Sequence, residues 1–395
     1  MRSIISSFRI LRPNYEVSQE VGLQWISRAH AYAKYLDSSS FVNKKTIFDL
    51  NILMENITNR FACKPDKIAN RGTFIADYLH NNWEEMQFFD LKKNTAGSQL
   101  QERMSFFSEV TNQVFNKFYS DIDEAPQHII HVTCTGYVSP SAAQLIVANK
   151  NWGKSTKVTH AYHMGCYAAF PALRIAQGFL LQDKQLLNSN EKSSQNRVDI
   201  VHTELSTLHF NPSLQDPSQF VVQSLFGDGL IYYSLYDKNS FLYSNCLKGL
   251  EIIVNHEEII SNSSDAMSWE IGSNSFQMTL SGKVPSMIAE NIENFIGKMF
   301  SFTDVSFEEV KNNCIFAIHP GGPKIIQHIK DILSLSNESV QLSESILKMY
   351  GNMSSATLPH VWDSILNSDI EKGALVVSLA FGPGLTISGS IMRIV

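Results

Sequence analysis

The sequence is short of several things. Five cysteines are scattered over 395 residues, at Cys63, Cys134, Cys166, Cys246 and Cys314, and no two form a CxxC. That spacing excludes a disulfide framework and gives no zinc-ligand pattern, so no metal is expected. Reduced thiols and a cytoplasmic setting are the simpler expectation. Positive charge is not in surplus: 32 Lys and Arg stand against 38 Asp and Glu, a net charge of −6. A nucleic-acid partner is therefore not expected, because nothing is left over to neutralise phosphates. No window reaches the roughly 18 apolar residues of a membrane span. Met1–Arg9 lacks a long apolar run and a small-residue cleavage site, so no signal peptide is expected there. No short-period repeat is present.

What is there is an ordinary globular balance, 44 % apolar and 18 % charged, in a chain too long for one simple core. Two domains or one large duplicated fold are expected. Hydrophobic periodicity predicts strands over residues 3–11, 128–135, 198–205, 230–235, 247–253, 314–318, 374–381 and 387–395. It predicts helices over 19–36, 46–59, 99–119, 141–148, 168–181, 284–300, 324–333, 343–349 and 356–366. Residues 71–76 and 184–197 read as loops. Strands and helices alternate throughout, which predicts a layered α/β fold. Pro171 and Pro359 fall early in their helices, where the missing N–H costs little.

Chemistry concentrates in a few short stretches. In His163-Met164-Gly165-Cys166-Tyr167, a cysteine sits between a glycine turn and an apolar helix. A free cysteine is usually a small buried hydrophobe. At a helix start, however, the macrodipole favours the thiolate and lowers its pKa. Far downstream, His319 closes an apolar strand ahead of Pro320-Gly321-Gly322-Pro323, a backbone forced to turn sharply. There are twelve histidines, so only its setting singles it out. Asn352, in Tyr350-Gly351-Asn352-Met353-Ser354-Ser355, reads either as a helix cap or as an amide donor to a thioester oxygen. Cys, His and Asn together are the parts of an activated-thiol site for acyl transfer. Gly382-Pro383-Gly384 reads as a tight turn, Gly227-Asp228-Gly229 as a weak turn motif, and Phe226 and Phe276 as ordinary core aromatics. Cys134, Cys246 and Cys314 lie on apolar segments and read as structural.

Taken together, these motifs resemble the type III polyketide synthases, the chalcone and stilbene synthase family, over almost the whole chain. The residues that carry the resemblance are Gly165-Cys166-Tyr167-Ala168, His202-Thr203-Glu204-Leu205-Ser206, Leu225-Phe226-Gly227-Asp228-Gly229, Ile318-His319-Pro320-Gly321-Gly322-Pro323, Tyr350 to Ala356, and Phe381-Gly382-Pro383-Gly384-Leu385. Phe8 to Glu16 looks like the N-terminal strand of the bacterial members.

The resemblance implies a thiolase fold: two pseudo-equivalent βαβαβ halves in a five-layer αβαβα arrangement. Residues 1–240 would carry the nucleophile, and 241–395 the His and Asn. It implies a homodimer and decarboxylative Claisen condensation of malonyl-CoA units onto an acyl starter held on Cys166. The product would be an alkylpyrone, resorcinol or similar ring, made with no metal or redox cofactor. His319 would hold Cys166 as thiolate and, with Asn352, stabilise the enolate. Phe226 and Phe276 would gate the site, the 382–384 loop would shape the cavity floor, and Ser354 would face the substrate.

The sequence departs from the family in two places. The segment of the CoA-phosphate anchors carries Arg60, Lys64 and Lys67 off the usual positions, which leaves an acyl carrier protein as an alternative donor. Cys134, Ser206, His209 and Met267 replace residues that are mostly Thr or Gly in plant members. His209 and Met267 would narrow the pocket, and Ser139 falls where the family inserts a residue across the dimer. An aliphatic or small acyl starter is the expectation. The alternative reading is a single-condensation β-ketoacyl synthase acting on carrier-bound substrates.

Overall fold

The computed structural model describes residues 2–38, 46–186, 197–239 and 248–395. The strands are β1 (Ser3–Leu11), β2 (Tyr15–Ser18), β3 (Asn70–Thr73), β4 (His128–Thr133), β5 (Lys157–Tyr162), β6 (Arg197–Glu204), β7 (Gly229–Asp237), β8 (Leu250–Ile259), β9 (Met267–Ile271), β10 (Phe276–Leu280), β11 (Ile315–Ile318), β12 (Leu375–Gly382) and β13 (Thr386–Ile394). Nine of them hydrogen-bond in the order β11-β12-β13-β8-β1-β7-β6-β4-β5.

The duplication is visible in the strand directions. In the first half β4 runs parallel to β6, β6 antiparallel to β7, and β7 antiparallel to β1. In the second half β11 runs parallel to β12, β12 antiparallel to β13, and β13 antiparallel to β8. The halves meet where β1 pairs β8 over Ser3–Ile5.

Period-2 alternation sorts the side chains into layers. On β7, Leu230 and Tyr232 join an outer cluster with Trp25, Phe107 and Phe115 of the flanking helices Gln19–Ser38 and Leu100–Phe118. Ile231, Tyr233 and Leu235 face the other way, into a middle cluster with the helices Ala169–Leu186 and Thr357–Leu366. On β12, Val376 and Ala380 face that middle cluster from the second half. Val377, Leu379 and Phe381 face a second outer cluster with the helices Val284–Phe300 and Pro323–Leu333. Helix, sheet, helix, sheet and helix make five layers, as the family resemblance implied.

Several elements were hidden from pattern reading. Asn70–Thr73 is a strand rather than a loop, paired with β2. Its Asn-Arg-Gly-Thr has no apolar alternation, and the partner strand supplies its hydrogen bonds. The β9–β10 ribbon was not read at all. Residues 343–349 are the back half of a helix that begins at Asn337, where the Ser336 hydroxyl accepts from the Ser339 N–H at 3.3 Å. The helix from Ala169 runs on to Leu186, into the stretch read as a loop. The rest of that loop, Cys246 and the expected boundary at 240/241 lie outside the described residues. Among the described residues, no helix is long and apolar enough to cross a membrane, and no group of three or more His, Cys, Asp or Glu side chains could hold a metal ion.

Candidate active site

The parallel strands β4, β5, β6, β11 and β12 aim their carboxyl ends at one region, the usual place for a ligand crevice in sheets of this kind. Cys134 follows β4, Cys166 lies four residues beyond β5, and Glu204 ends β6. His319 follows β11 and Gly382 ends β12. The duplication therefore puts His319 in the second half where Cys134 stands in the first.

The turn that holds the nucleophile is built around absent side chains. Gly165 has φ +82°, and a Cβ there would lie 2.4 Å from Pro383 Cδ. A Cβ on Gly382 would lie 2.3 Å from Tyr167 Cδ1. The 382–384 loop thus packs directly against the residues on either side of Cys166. The Gly165 N–H donates to Cys134 Sγ at 3.0 Å, which ties the turn to the end of β4. Gly165→Ala combines a left-handed backbone with a clash against the Pro383 ring. A loss of at least about 1–3 kcal/mol of stability, together with loss of Cys166 acylation, is the expected result, checked by thermal melts and intact-protein mass spectrometry.

Cys166 is buried, with its Sγ 4.0 Å from Ser354 Oγ. Burial pushes its thiol up to about 12; the nearby Glu204 carboxylate adds to this, and hydrogen bonds from Ser354 and Asn352 act against it. Burial thus works against the thiolate expected from the helix start. Asn352 is fixed by its backbone: its N–H donates to Leu225 O and its carbonyl accepts from the Gly227 N–H, both at 2.9 Å. Its side-chain oxygen accepts from the Ser354 N–H at 2.8 Å, and its Nδ2 reaches the Gly321 carbonyl at 3.4 Å. The bond to Ser354 is that of a cap on the turn that follows, and the Nδ2 contact reaches across to the loop after His319.

His319 packs on the same Gly321 peptide: a Cβ on Gly321 would lie 3.7 Å from its Nε2. Neither ring nitrogen of this buried histidine has a hydrogen-bond partner among the described residues. Burial holds its imidazole down to about 3, so the ring is neutral.

Glu204 is the organising residue that sequence reasoning passed over. It is fully buried and accepts from the Cys134 N–H at 2.9 Å, Thr135 Oγ1 at 3.1 Å, the Ser355 N–H at 3.3 Å and Ser355 Oγ. It locks the β4 loop of the first half to the Asn352 loop of the second. Burial raises its pKa.

A cavity opens beside Cys166, lined by Cys134, Ser206, His209, Phe226, Phe276, Ser354 and Pro383 among others. Seven of the residues singled out from the sequence therefore join Cys166 in one pocket. Arg71 and Trp269 line it too and were missed; the signal for Trp269 was a large aromatic in a polar stretch with no readable period. Met267 is not among the lining residues. It is buried in the second outer cluster, and Trp269, two residues further along β9, narrows the cavity in its place. Gly382 and Gly384 are likewise not lining residues; they serve Pro383, which is. Ser139 is exposed on this chain and does not line the cavity.

A second groove is lined by Arg60, Lys64 and Lys67, with Lys324, Gly321 and Gly322. The helix Pro217–Leu225 separates the two spaces. Its Pro217, Ser218, Val221 and Leu225 face the groove, while Gln219, Val222 and Gln223 face the cavity. Phe226 ends the partition, its carbonyl held by Arg71 at 2.9 Å.

Residues 251–395 match the C-terminal domain of chalcone and stilbene synthases. That stretch contains His319, Asn352 and the 382–384 loop. Over that stretch the chain is similar to this family. Among curated proteins it is 28 % identical over 272 residues to "Probable polyketide synthase 1" of Dictyostelium discoideum, covering 67 % of this chain but 8 % of that protein's length. It is 26 % identical over 347 residues to "Type III polyketide synthase B" of Arabidopsis thaliana, covering 84 % of this chain and 83 % of the relative. The fold matches the crystal structure of the C-terminal type III polyketide synthase domain of Steely1, a type I/III hybrid from Dictyostelium. The TM-score is 0.78 at 22 % identity, with 100 % of this chain and 99 % of that one covered.

Proposed function

We propose that this chain is a type III polyketide synthase that lengthens an acyl starter on Cys166 with malonyl units. The observation that carries the reading is the shared arrangement around Asn352: its side chain holds Ser354, whose hydroxyl faces the Cys166 thiol, and reaches the Gly321 peptide on which His319 packs. The Cys166 thiol attacks the starter thioester, its proton passing to His319, and the donor thiol leaves with a proton. A malonyl thioester then loses CO₂. The charge that develops on its thioester oxygen is met by the free ring N–H of His319 and the amide of Asn352, which bind it more strongly than the neutral carbonyl. The enolate carbon attacks the Cys166 thioester and adds two carbons, and a repeat of the cycle gives a chain that closes to a pyrone, resorcinol or related ring.

The groove with Arg60, Lys64, Lys67 and Lys324 suits the phosphates of coenzyme A, and the partition ending at Phe226 suits a gate between donor and cavity. The chemistry asks for no metal or redox cofactor, and the working unit is a cytoplasmic homodimer. The cavity wall of His209, Trp269 and Phe276 favours a small or aliphatic starter.

A single condensation on carrier-bound substrates is the second reading. It is favoured by the likeness to a domain of a type I/III hybrid. Incubation with malonyl-CoA and a series of acyl-CoAs, against the same acyl groups on a carrier protein, separates the two. The expected result is products with several added two-carbon units from free CoA esters and short or aliphatic starters. One condensation, seen with carrier-bound substrate alone, would overturn the main reading; clear preference for coumaroyl-CoA would overturn the starter assignment.

A further inference from the structure

The β9–β10 ribbon lies over the cavity as a two-stranded flap outside the nine-stranded sheet. Trp269 and Met278 are directly opposed across it, and both line the cavity with Phe276. Trp269 is held at both of its ends. Its indole N–H donates to the Cys134 carbonyl at 2.6 Å, at the exit of β4. Its own carbonyl accepts from His163 Nε2–H at 2.7 Å, in the turn that leads to Cys166. Its ring meets His209 edge-on, with centroids 5.5 Å apart, and Phe276 at 5.9 Å.

His209 is itself immobilised. It stacks on Phe276 at 4.2 Å and 12°, accepts from the Phe276 N–H at 3.0 Å, and donates to the Thr135 carbonyl at 2.8 Å. An indole gripped in this way cannot swing aside to admit a longer chain without leaving buried polar groups unpaired.

We propose that Trp269 sets the upper length of the acyl chain the cavity accepts, acting as a fixed aromatic stop hung from the two loops that carry Cys134 and Cys166. The inference rests on the proposed synthase function and names its substrate class: short straight-chain acyl thioesters. Its signature is a shift in chain-length preference, not a general loss of rate.

The test measures kcat/KM for loading of Cys166 across straight-chain acyl-CoAs from acetyl to lauroyl, in the wild type, Trp269→Leu and Trp269→Phe. Loading is read by intact-protein mass spectrometry, and folding by circular dichroism melts. In Trp269→Leu the ratio of long-chain to short-chain loading rises at least about tenfold, the scale of one or two methylenes in an apolar pocket. Trp269→Phe keeps most of the bulk but loses the N–H anchor, and shifts the ratio in the same direction by less. An unchanged ratio in a folded Trp269→Leu overturns the inference and leaves the synthase reading standing. Should Trp269→Leu not fold, an unchanged ratio in Trp269→Phe overturns it. A wild type that loads no member of the series overturns both.

Discussion

Cys166→Ala abolishes the acyl-enzyme and every condensation product. The cavity offers two thiols, Cys166 and Cys134. Cys134 is the poorer nucleophile: burial pushes its thiol well above the ordinary range, and its sulfur already accepts the Gly165 N–H. The Cys166 sulfur faces the Ser354 hydroxyl at 4.0 Å. Peptide mapping after incubation with acyl-CoA should place the acyl group on Cys166 in the wild type and nowhere in the variant; label retained on Cys134 would overturn the assignment.

The pH dependence follows from the direction of the shift. A thiol pushed up to about 12 is almost wholly protonated at neutral pH, so its thiolate fraction grows about tenfold per pH unit below that value. Iodoacetamide labelling of Cys166 should therefore climb steadily from about pH 7 to 9. A plateau near neutrality would mean that a thiolate–imidazolium pair outweighs the cost of burial.

His319→Ala is the second large effect. A buried imidazole with two unpartnered nitrogens is costly unless a bound group satisfies them, and a neutral ring can offer an N–H to a developing oxyanion across the working pH range. With its imidazole held down to about 3, no histidine limb from this residue should appear in the pH profile between about 5 and 8. Removing one such donor costs about a hundred- to a thousandfold in rate. Malonyl-CoA decarboxylation, followed by CO₂ release, should fall by that factor in His319→Ala. It should fall less in His319→Gln, which keeps an amide donor. Equal loss in both would point to proton transfer as the main role of His319; no loss in either would remove it from the mechanism.

The two residues differ in how legible they were. Cys166 and His319 stood out because glycine and proline leave the backbone few choices, so Gly165 and Pro320-Gly321-Gly322-Pro323 announce turns that project a side chain. Asn352 was legible as one of two things, and the structure gives it both a cap-type bond from the Ser354 N–H and a contact with the Gly321 carbonyl. Glu204 was read as part of a motif but given no role, because a glutamate at the end of an apolar strand looks the same whether it meets solvent or a set of buried N–H donors. Met267 and Trp269 show the same limit. Both sit on β9 two residues apart, and the packing of the ribbon, not residue type, put Trp269 on the cavity.

By itself the sequence determined the alternation of strands and helices and the layered fold, and it named the candidates for the reacting residues, because these rest on local periodicity and on backbone conformations that few residues tolerate. Only the tertiary structure decided the resting charge of the site. Ionisation depends on how much water and which partners surround a group, and the layers that bury Cys166 and His319 come from segments more than a hundred residues apart.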